Sequence, residues 1–358
     1  MNDFLVIGGG IAGLSAGARL AAHGRVVVVE AEPALGYHAS GRSAALFEAF
    51  YGLPATVVLN QASLDYHRTA NGGYLSPRGL MLVGRAEDRD AFGIDLANLG
   101  LAEIPVAEAV GMVPILNPRS VALAGYHDAA WDIDTDRLLQ DFAKVVRGNG
   151  AVLTRRPVTV IARTDTGWSV TAGDEQIEAR ILVNAAGAWA DRIAAMAGVA
   201  PIGIVANRRS MARLPAPGGH DLRAWPMIMA AAERWYAKPD AGKLLVSPAE
   251  EHRMEPQDAW PDDMVLAEGL ARYEDMVTEP VTRVESSWAG LRSFAPDRTV
   301  VLGPDPDYPG FVWCAGQGGY GFQTAPAASQ LLADLVTGTT PELDPTAVAA
   351  VRPDRLRL

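Results

Sequence analysis

Phe4-Leu5-Val6-Ile7 runs straight into Gly8-Gly9-Gly10-Ile11-Ala12-Gly13, an alanine-rich stretch continues to Ala22, and Val26-Val27-Val28-Val29-Glu30 follows. An apolar β-favouring run, a glycine turn, a helix-forming run and a second apolar run make a strand–turn–helix–strand unit. Both strands are apolar at successive positions instead of alternating, the pattern of a parallel sheet covered on both faces. The turn has the form Gly8-x-Gly10-x-x-Gly13, and Glu30 stands about 20 residues past the second glycine, at the end of the second strand. In that context the glycines let the backbone approach a pyrophosphate at the positive end of a helix, while Glu30 can accept hydrogen bonds from ribose hydroxyls. A dinucleotide cofactor is expected. Gly24 is expected to close the helix in a left-handed conformation. The overlapping Gly13-Leu14-Ser15-Ala16-Gly17 matches a hydrolase pattern, but Ser15 falls inside the helix and not on a strand-to-helix elbow.

Outward from this unit, Asp134 can cap a helix whose Leu138, Leu139, Phe142, Val145 and Val146 form one apolar stripe. Strand-like segments follow at 151–154, 158–162 and 168–171, then a buried strand Ile181-Leu182-Val183-Asn184. From about Pro201 the texture changes to hairpin signals, such as Lys238-Pro239-Asp240-Ala241-Gly242 between two apolar runs, and an antiparallel sheet is expected. Parallel-type runs return near Val300 and end in a helix to Val336. The expected class is α/β: a Rossmann-type, glutathione-reductase-like cofactor domain made of residues 1–70, 134–200 and 295–358, with a mixed or antiparallel-sheet α+β substrate domain made of 71–133 and 201–294.

The chain has 358 residues, 49% hydrophobic and 20% charged, which excludes a disordered protein and fits two domains at about 150 residues each. Thirty-one basic against 42 acidic residues give a net charge of −11, which opposes binding to nucleic acid or anionic lipid. The apolar start carries Asp3 where a signal peptide would be basic, and Arg19 interrupts it, so no transmembrane segment is expected. A single cysteine, Cys314, fits a cytoplasmic location, with a peripheral membrane contact left open. The six histidines show no metal-ligand spacing, and no metal is expected.

A second glycine turn, Gly316-Gln317-Gly318-Gly319-Tyr320-Gly321-Phe322-Gln323, again precedes a helix. A flavin needs a helix N-terminus near the ring edge that gains negative charge on reduction, so this turn favours FAD over a nicotinamide. Arg208, Arg209 and Arg292 lie among apolar residues and require carboxylates, either internal ones or that of a substrate.

Taken in order, GGGIAGLSAGARLAAHGRVVVVEAEP, GYHASGRSAALFEAFYG, DIDTDRLLQ, LVNAAGAWAD, NRRS, WYAKPDAG, SSWAGLRSF and AGQGGYGFQT resemble the FAD-dependent D-amino acid oxidase and dehydrogenase superfamily over nearly the whole chain, and within it the D-arginine dehydrogenases most. The resemblance implies non-covalent FAD held by Gly8, Gly10, Gly13 and Glu30, with Arg42, Ser43, Ala44 and Gly187 along the cofactor, Val158 at the adenine, and Gly319, Tyr320, Gly321 and Phe322 near the flavin. It implies that Arg209 and Arg292 bind the substrate carboxylate, that Tyr51 and Tyr236 close the pocket, and that Gln323 lies beside substrate and flavin. The implied reaction is hydride transfer from the Cα of a D-amino acid to flavin N5, giving an imino acid that hydrolyses to a 2-oxo acid and ammonia. Oxygen or a quinone-type carrier would be the electron acceptor.

Leu80 and Leu46 occupy positions where relatives acting on cationic substrates would have a carboxylate and a polar residue, so neutral or apolar D-amino acids are expected over D-arginine. Glu48 would restore a cationic preference if it faced the pocket and is otherwise expected to be a solvated surface acid. Oxidation of glycine, sarcosine or D-proline is an alternative on the same fold. A flavin-binding subunit of an amine dehydrogenase complex would not need the arginines, and a tRNA-modifying oxidase is opposed by the net charge.

Overall fold

The computed structural model describes residues 1–357. Its first sheet has five parallel strands in the order Gly150–Leu153, Val26–Val29, Asn2–Ile7, Glu175–Asn184 and Phe311–Ala315. The four valines 26–29 are all buried, as are Phe4 to Ile7, because helices cover one face and a second apolar cluster the other. Glu175–Asn184 is long enough to serve two partners. Its first half pairs antiparallel with the hairpin strand Gly167–Ala172, and its second half pairs with Phe311–Ala315.

The second sheet has nine strands, drawn from residues 80–127 and 205–294. Its axis is Val205–Leu214, bordered along its whole length by Ser286–Phe294 and on the other side by Lys243–Ser247. Tyr236–Asp240, Met227–Ala230, Leu80–Gly84 and Leu123–His127 continue it, and only Met227–Ala230 with Leu80–Gly84 is parallel. The hairpin expected at Lys238 to Gly242 is present. Asp240 pairs with Lys243, and Ala241 and Gly242 both have positive φ, as a two-residue turn between twisted strands requires. A small sheet of Leu46–Glu48, Ala130–Ile133 and Leu75–Pro77 completes the fold.

One local expectation changes. The helix Ile11–Leu20 ends without a left-handed residue; Gly24 is required instead because a Cβ there would lie 2.6 Å from the Asp3 carboxylate, which accepts the Arg25 N–H at 2.8 Å. Pro326 lies inside the helix Gly321–Thr337, beyond its first turn. A proline removes one helical donor, and the neighbouring helix Pro54–Thr69 supplies replacements. His67 Nε2 meets the Gln323 carbonyl at 3.1 Å, and Ser63 Oγ accepts the Ala327 N–H at 3.1 Å while its single hydrogen is shared between the Leu59 carbonyl at 2.7 Å and the Thr324 carbonyl at 3.2 Å. Burial lowers the His67 pKa to about 4, its contacts with the Gln323 and Phe322 carbonyls pulling weakly the other way. Asp134 caps the helix Thr135–Gly148 as expected, accepting the Arg137 N–H at 3.1 Å, and Ser15 is buried within its helix. Among the described residues no helix is long and apolar enough to cross a membrane.

Candidate active site

The parallel strands Asn2–Ile7 and Val26–Val29 deliver Gly8 and Glu30 to one edge of the first sheet, where a cavity of about 430 Å³ opens towards the second. Gly8, Gly10, Glu30, Arg42, Ser43, Ala44, Val158, Gly187, Arg209, Tyr236, Arg292, Gly319, Gly321 and Phe322 all line it. Gly13 lies behind the turn: a Cβ there would stand 1.9 Å from the Gly8 carbonyl, so this glycine permits the helix to start against the strand. Gly8 itself has φ +117, and a Cβ on it would meet the Ala185 carbonyl at 2.3 Å.

Two helices start at this cavity. Neither Ile11–Leu20 nor Gly321–Thr337 has a side-chain cap or an acid in its first turn, and a Cβ at Gly321 would lie 3.4 Å from Ile11, which places the two starts side by side. Glu30 accepts the N–H groups of Gly9 at 2.7 Å and Glu32 at 2.9 Å and keeps further acceptor capacity. Helix starts without an N-cap side chain of their own, the Ile11 N–H being taken by Ser40, beside a glycine-walled trough and an acceptor carboxylate match what a dinucleotide's pyrophosphate and ribose require, and the residues fit FAD. Cys314 is buried in its strand, its thiol pushed up to about 12 by burial and outweighing the hydrogen bond from Gln317.

Arg42 lines the cavity. Its guanidinium is spent on protein acceptors, the carbonyls of Ala289 at 2.7 Å and Ala259 at 3.0 Å and the carboxylate of Asp258. It therefore ties the segment around 257–259 across the cavity. Ser43 likewise turns to its own chain, accepting the Ala45 N–H at 3.0 Å.

The arginines divide by strand alternation. On Val205–Leu214, Arg208 faces away from the cavity and lies 3.6 Å from both Glu250 and Asp262. Arg209 faces the cavity. Register sets Arg209 opposite Gly290 and Asn207 opposite Arg292, so Arg209 and Arg292 are diagonal neighbours on one face. Arg209 is 7% exposed; its Nη2 donates to Glu251 at 3.2 Å, while Nε and Nη1 have no hydrogen-bond partner. Among the described residues Arg292 forms no ion pair. Burial works against its charge, yet Tyr51, Tyr236 and Glu233 together hold its pKa above the ordinary guanidinium value.

Tyr51 donates its hydroxyl to Glu233 at 3.0 Å and meets Tyr320 edge-on at 5.1 Å between ring centres. Burial raises its pKa well above the usual phenol value, with Arg292 pulling the other way. Leu46, Leu80, Met211, Met227, Met229 and Tyr236 form one apolar cluster with Tyr51 packed against it, and Met211 and Tyr236 bring that cluster to the cavity wall. Gln323 sits just behind the lining: its Oε1 accepts the Glu48 N–H at 3.0 Å, and its buried Nε2 has no partner. Glu48 is not a solvated surface acid. It is 2% exposed, accepts the Phe50 N–H at 3.1 Å, has Oε2 at 3.1 Å from His127 Nε2 without a hydrogen bond between them, and does not line the cavity.

Sequence reasoning did not find Glu233, Ser40 or Asp258. Glu233 reaches Tyr51 and Arg209 because Ala232 and Glu233 are both left-handed at φ 58 and 48, a conformation that non-glycine residues do not advertise. Ser40, which accepts the Ile11 N–H at 3.0 Å, sits in the single 3-10 turn Ala39–Arg42 and Asp258 in an irregular segment, neither with a spacing to read.

A family model described as DAO, FAD dependent oxidoreductase, matches residues 3–335. FAD-dependent oxidoreductase domain-containing protein 1 of Bos taurus is 25% identical over 408 aligned residues, spanning 94% of this chain and 81% of its own length. Glycine oxidase of Pseudomonas putida is 24% identical over 373, spanning 97% and 98%. The solved structure of L-proline dehydrogenase from P. horikoshii superposes with a TM-score of 0.83 at 21% identity, over 99% of this chain and 97% of its own, a likeness of fold. The chain belongs to the DAO family of FAD-dependent oxidoreductases.

Proposed function

We propose that this chain oxidises D-amino acids with neutral or apolar side chains to imino acids, which hydrolyse to 2-oxo acids and ammonia. The observation that carries the reading is the pair of arginines on one sheet face: among the described residues Arg292 has no ion pair, and Arg209 has two guanidinium nitrogens without a hydrogen bond, one of them 3.8 Å from Glu233. Such groups at a cavity wall call for an anion, and a planar carboxylate suits the guanidinium fork. Arg209 and Arg292 hold the carboxylate, Tyr51 and Tyr236 close the pocket, and the free Nε2 of Gln323 is a donor beside it. Bound FAD supplies the acceptor for a hydride from the substrate Cα. The residues assigned to its binding are Gly8, Gly10, Gly13, Glu30, Ser43, Ala44, Val158, Gly187, Gly319, Tyr320, Gly321 and Phe322, with Arg42 acting through the segment it ties down. The work of the protein is orientation: two fixed arginines and a closed wall hold the Cα–H in place, and an amine that enters neutral needs no strong side-chain base.

The site lies between a cofactor domain of residues 1–70, 134–200 and 295–358 and a substrate domain of 71–133 and 201–294. Leu46, Leu80, Met227 and Met229 favour a substrate with an apolar side chain over glycine, because such a side chain gains by burial against them. Anaerobic mixing of the FAD-loaded protein with a panel of D- and L-amino acids tests the proposal. Bleaching of the flavin absorbance by D-leucine or D-methionine is expected, and bleaching by L isomers alone would refute it.

A further inference from the structure

The sheet face that carries Tyr236 continues past it to a buried lysine. Residues two apart on a strand share a face, so Lys238 lies on the Tyr236 side of the sheet, about 7 Å further along. Met229 pairs with Tyr236, Leu80 with Met227, and His127 with Leu80, which puts all of them on this same face. Lys238 is 4% exposed, and its Nζ meets Asp132 Oδ1 at 2.7 Å. Asp132, the ladder partner of Leu46, does not depend on it: Arg78 already donates from Nε to the other carboxylate oxygen at 2.9 Å. Burying an ammonium beside a carboxylate that already has a cation is a costly arrangement, and it calls for a reason other than stability.

We propose that Lys238 is a specificity-determining residue that excludes cationic substrates. This rests on the reading of Arg209 and Arg292 as the carboxylate clamp, which directs a substrate's side chain towards Leu80 and Met227. Beyond them stand two acids, Asp132 and Glu48, and two permanent cations, Arg78 and Lys238, with His127 3.1 Å from Glu48. Lys238 occupies from the protein side the place where a substrate's ammonium or guanidinium would meet Asp132. It leaves the buried region around Leu80 and Met227, behind the cavity wall, balanced in charge; without it, Asp132 and Glu48 share one arginine and that region becomes anionic. Substrates with uncharged side chains are the class this arrangement selects.

The test uses the full-length, FAD-loaded protein and two carboxylates that differ only in the tail, valerate and δ-aminovalerate, each titrated against the flavin absorbance. Wild type is expected to bind valerate more tightly. In Lys238→Met the ratio of the two dissociation constants shifts towards δ-aminovalerate by at least about tenfold, and adding Asp132→Asn reverses the shift. Lys238→Gln, which can still donate to Asp132, is expected to shift the ratio in the same direction, while Lys238→Arg keeps the wild-type ratio. An unchanged ratio in the neutral variants with FAD bound would overturn the proposal. So would loss of FAD by both neutral variants, which would make the lysine a structural counter-ion, or binding of neither carboxylate by wild type, which would remove the clamp. Failure of D-amino acids to reduce wild type would instead refute amino acid oxidation and leave the ratio readable.

Discussion

Gly319 and Arg292 are packed so closely that a Cβ on the glycine would stand 2.8 Å from the guanidinium Cζ and 3.0 Å from Nε. The turn that starts the helix Gly321–Thr337 therefore also makes the space in which Arg292 lies. Gly319→Ala is expected to push Arg292 by a few tenths of an ångström and so to misplace a bound carboxylate. A rise of about tenfold in KM for D-methionine, with FAD content unchanged, is the expected outcome of steady-state kinetics.

Arg292→Ala and Arg209→Ala each remove charge-assisted hydrogen bonds to the carboxylate, and kcat/KM is expected to fall by about 100-fold or more. Arg292→Lys should recover only part of this, since an ammonium keeps the charge but not the fork. Both alanine variants should retain FAD, because neither residue is needed for the glycine trough. Wild-type kinetics in both would sink the carboxylate assignment.

What could be read from the sequence was whatever depends on short-range pattern. The Gly8 to Gly13 turn, the four valines and Glu30 form a local unit, and the hairpin at 238–242 follows from a turn sequence between two apolar runs. The division of labour between Arg208 and Arg209 was not legible, because it depends on which side chain a strand turns towards which sheet face, and Glu250 and Asp262 are far along the chain. Glu48 was hidden for the same reason: its partner His127 comes from a strand of another sheet. Gly24 misled because a glycine after a helix is more often a left-handed terminator than a place where Asp3 approaches closely.

Arg42 holds the segment 257–259 against the turn Ala39–Arg42 by the Ala259 carbonyl and the Asp258 carboxylate, with a further bond to the Ala289 carbonyl on the strand Ser286–Phe294, and both segments line the cofactor cavity. Arg42→Met should speed FAD release, measured as the rise of free-flavin fluorescence after dilution. Asp258→Asn keeps the two carbonyl bonds and should have a smaller effect. Equal release rates in Arg42→Met and wild type would show that the tie does not retain the cofactor.

His67 is fully buried against the helix that contains Pro326, and burial lowers its pKa from 6.5 to about 4. Between those values the unfolded chain binds the proton and the folded chain does not, so stability falls as pH drops from about 6.5 towards about 4. At about pH 5 this residue alone should cost about 2 kcal/mol relative to neutral pH, at 1.36 kcal/mol per unit of pH. Other groups also titrate in this range, so the informative quantity is a difference between proteins. Urea midpoints of wild type and His67→Gln, compared at neutral pH and at about pH 5, should show the variant less stable at neutral pH and less sensitive to acid. Parallel loss of stability in the two proteins would mean that the imidazole is not held neutral in the folded state.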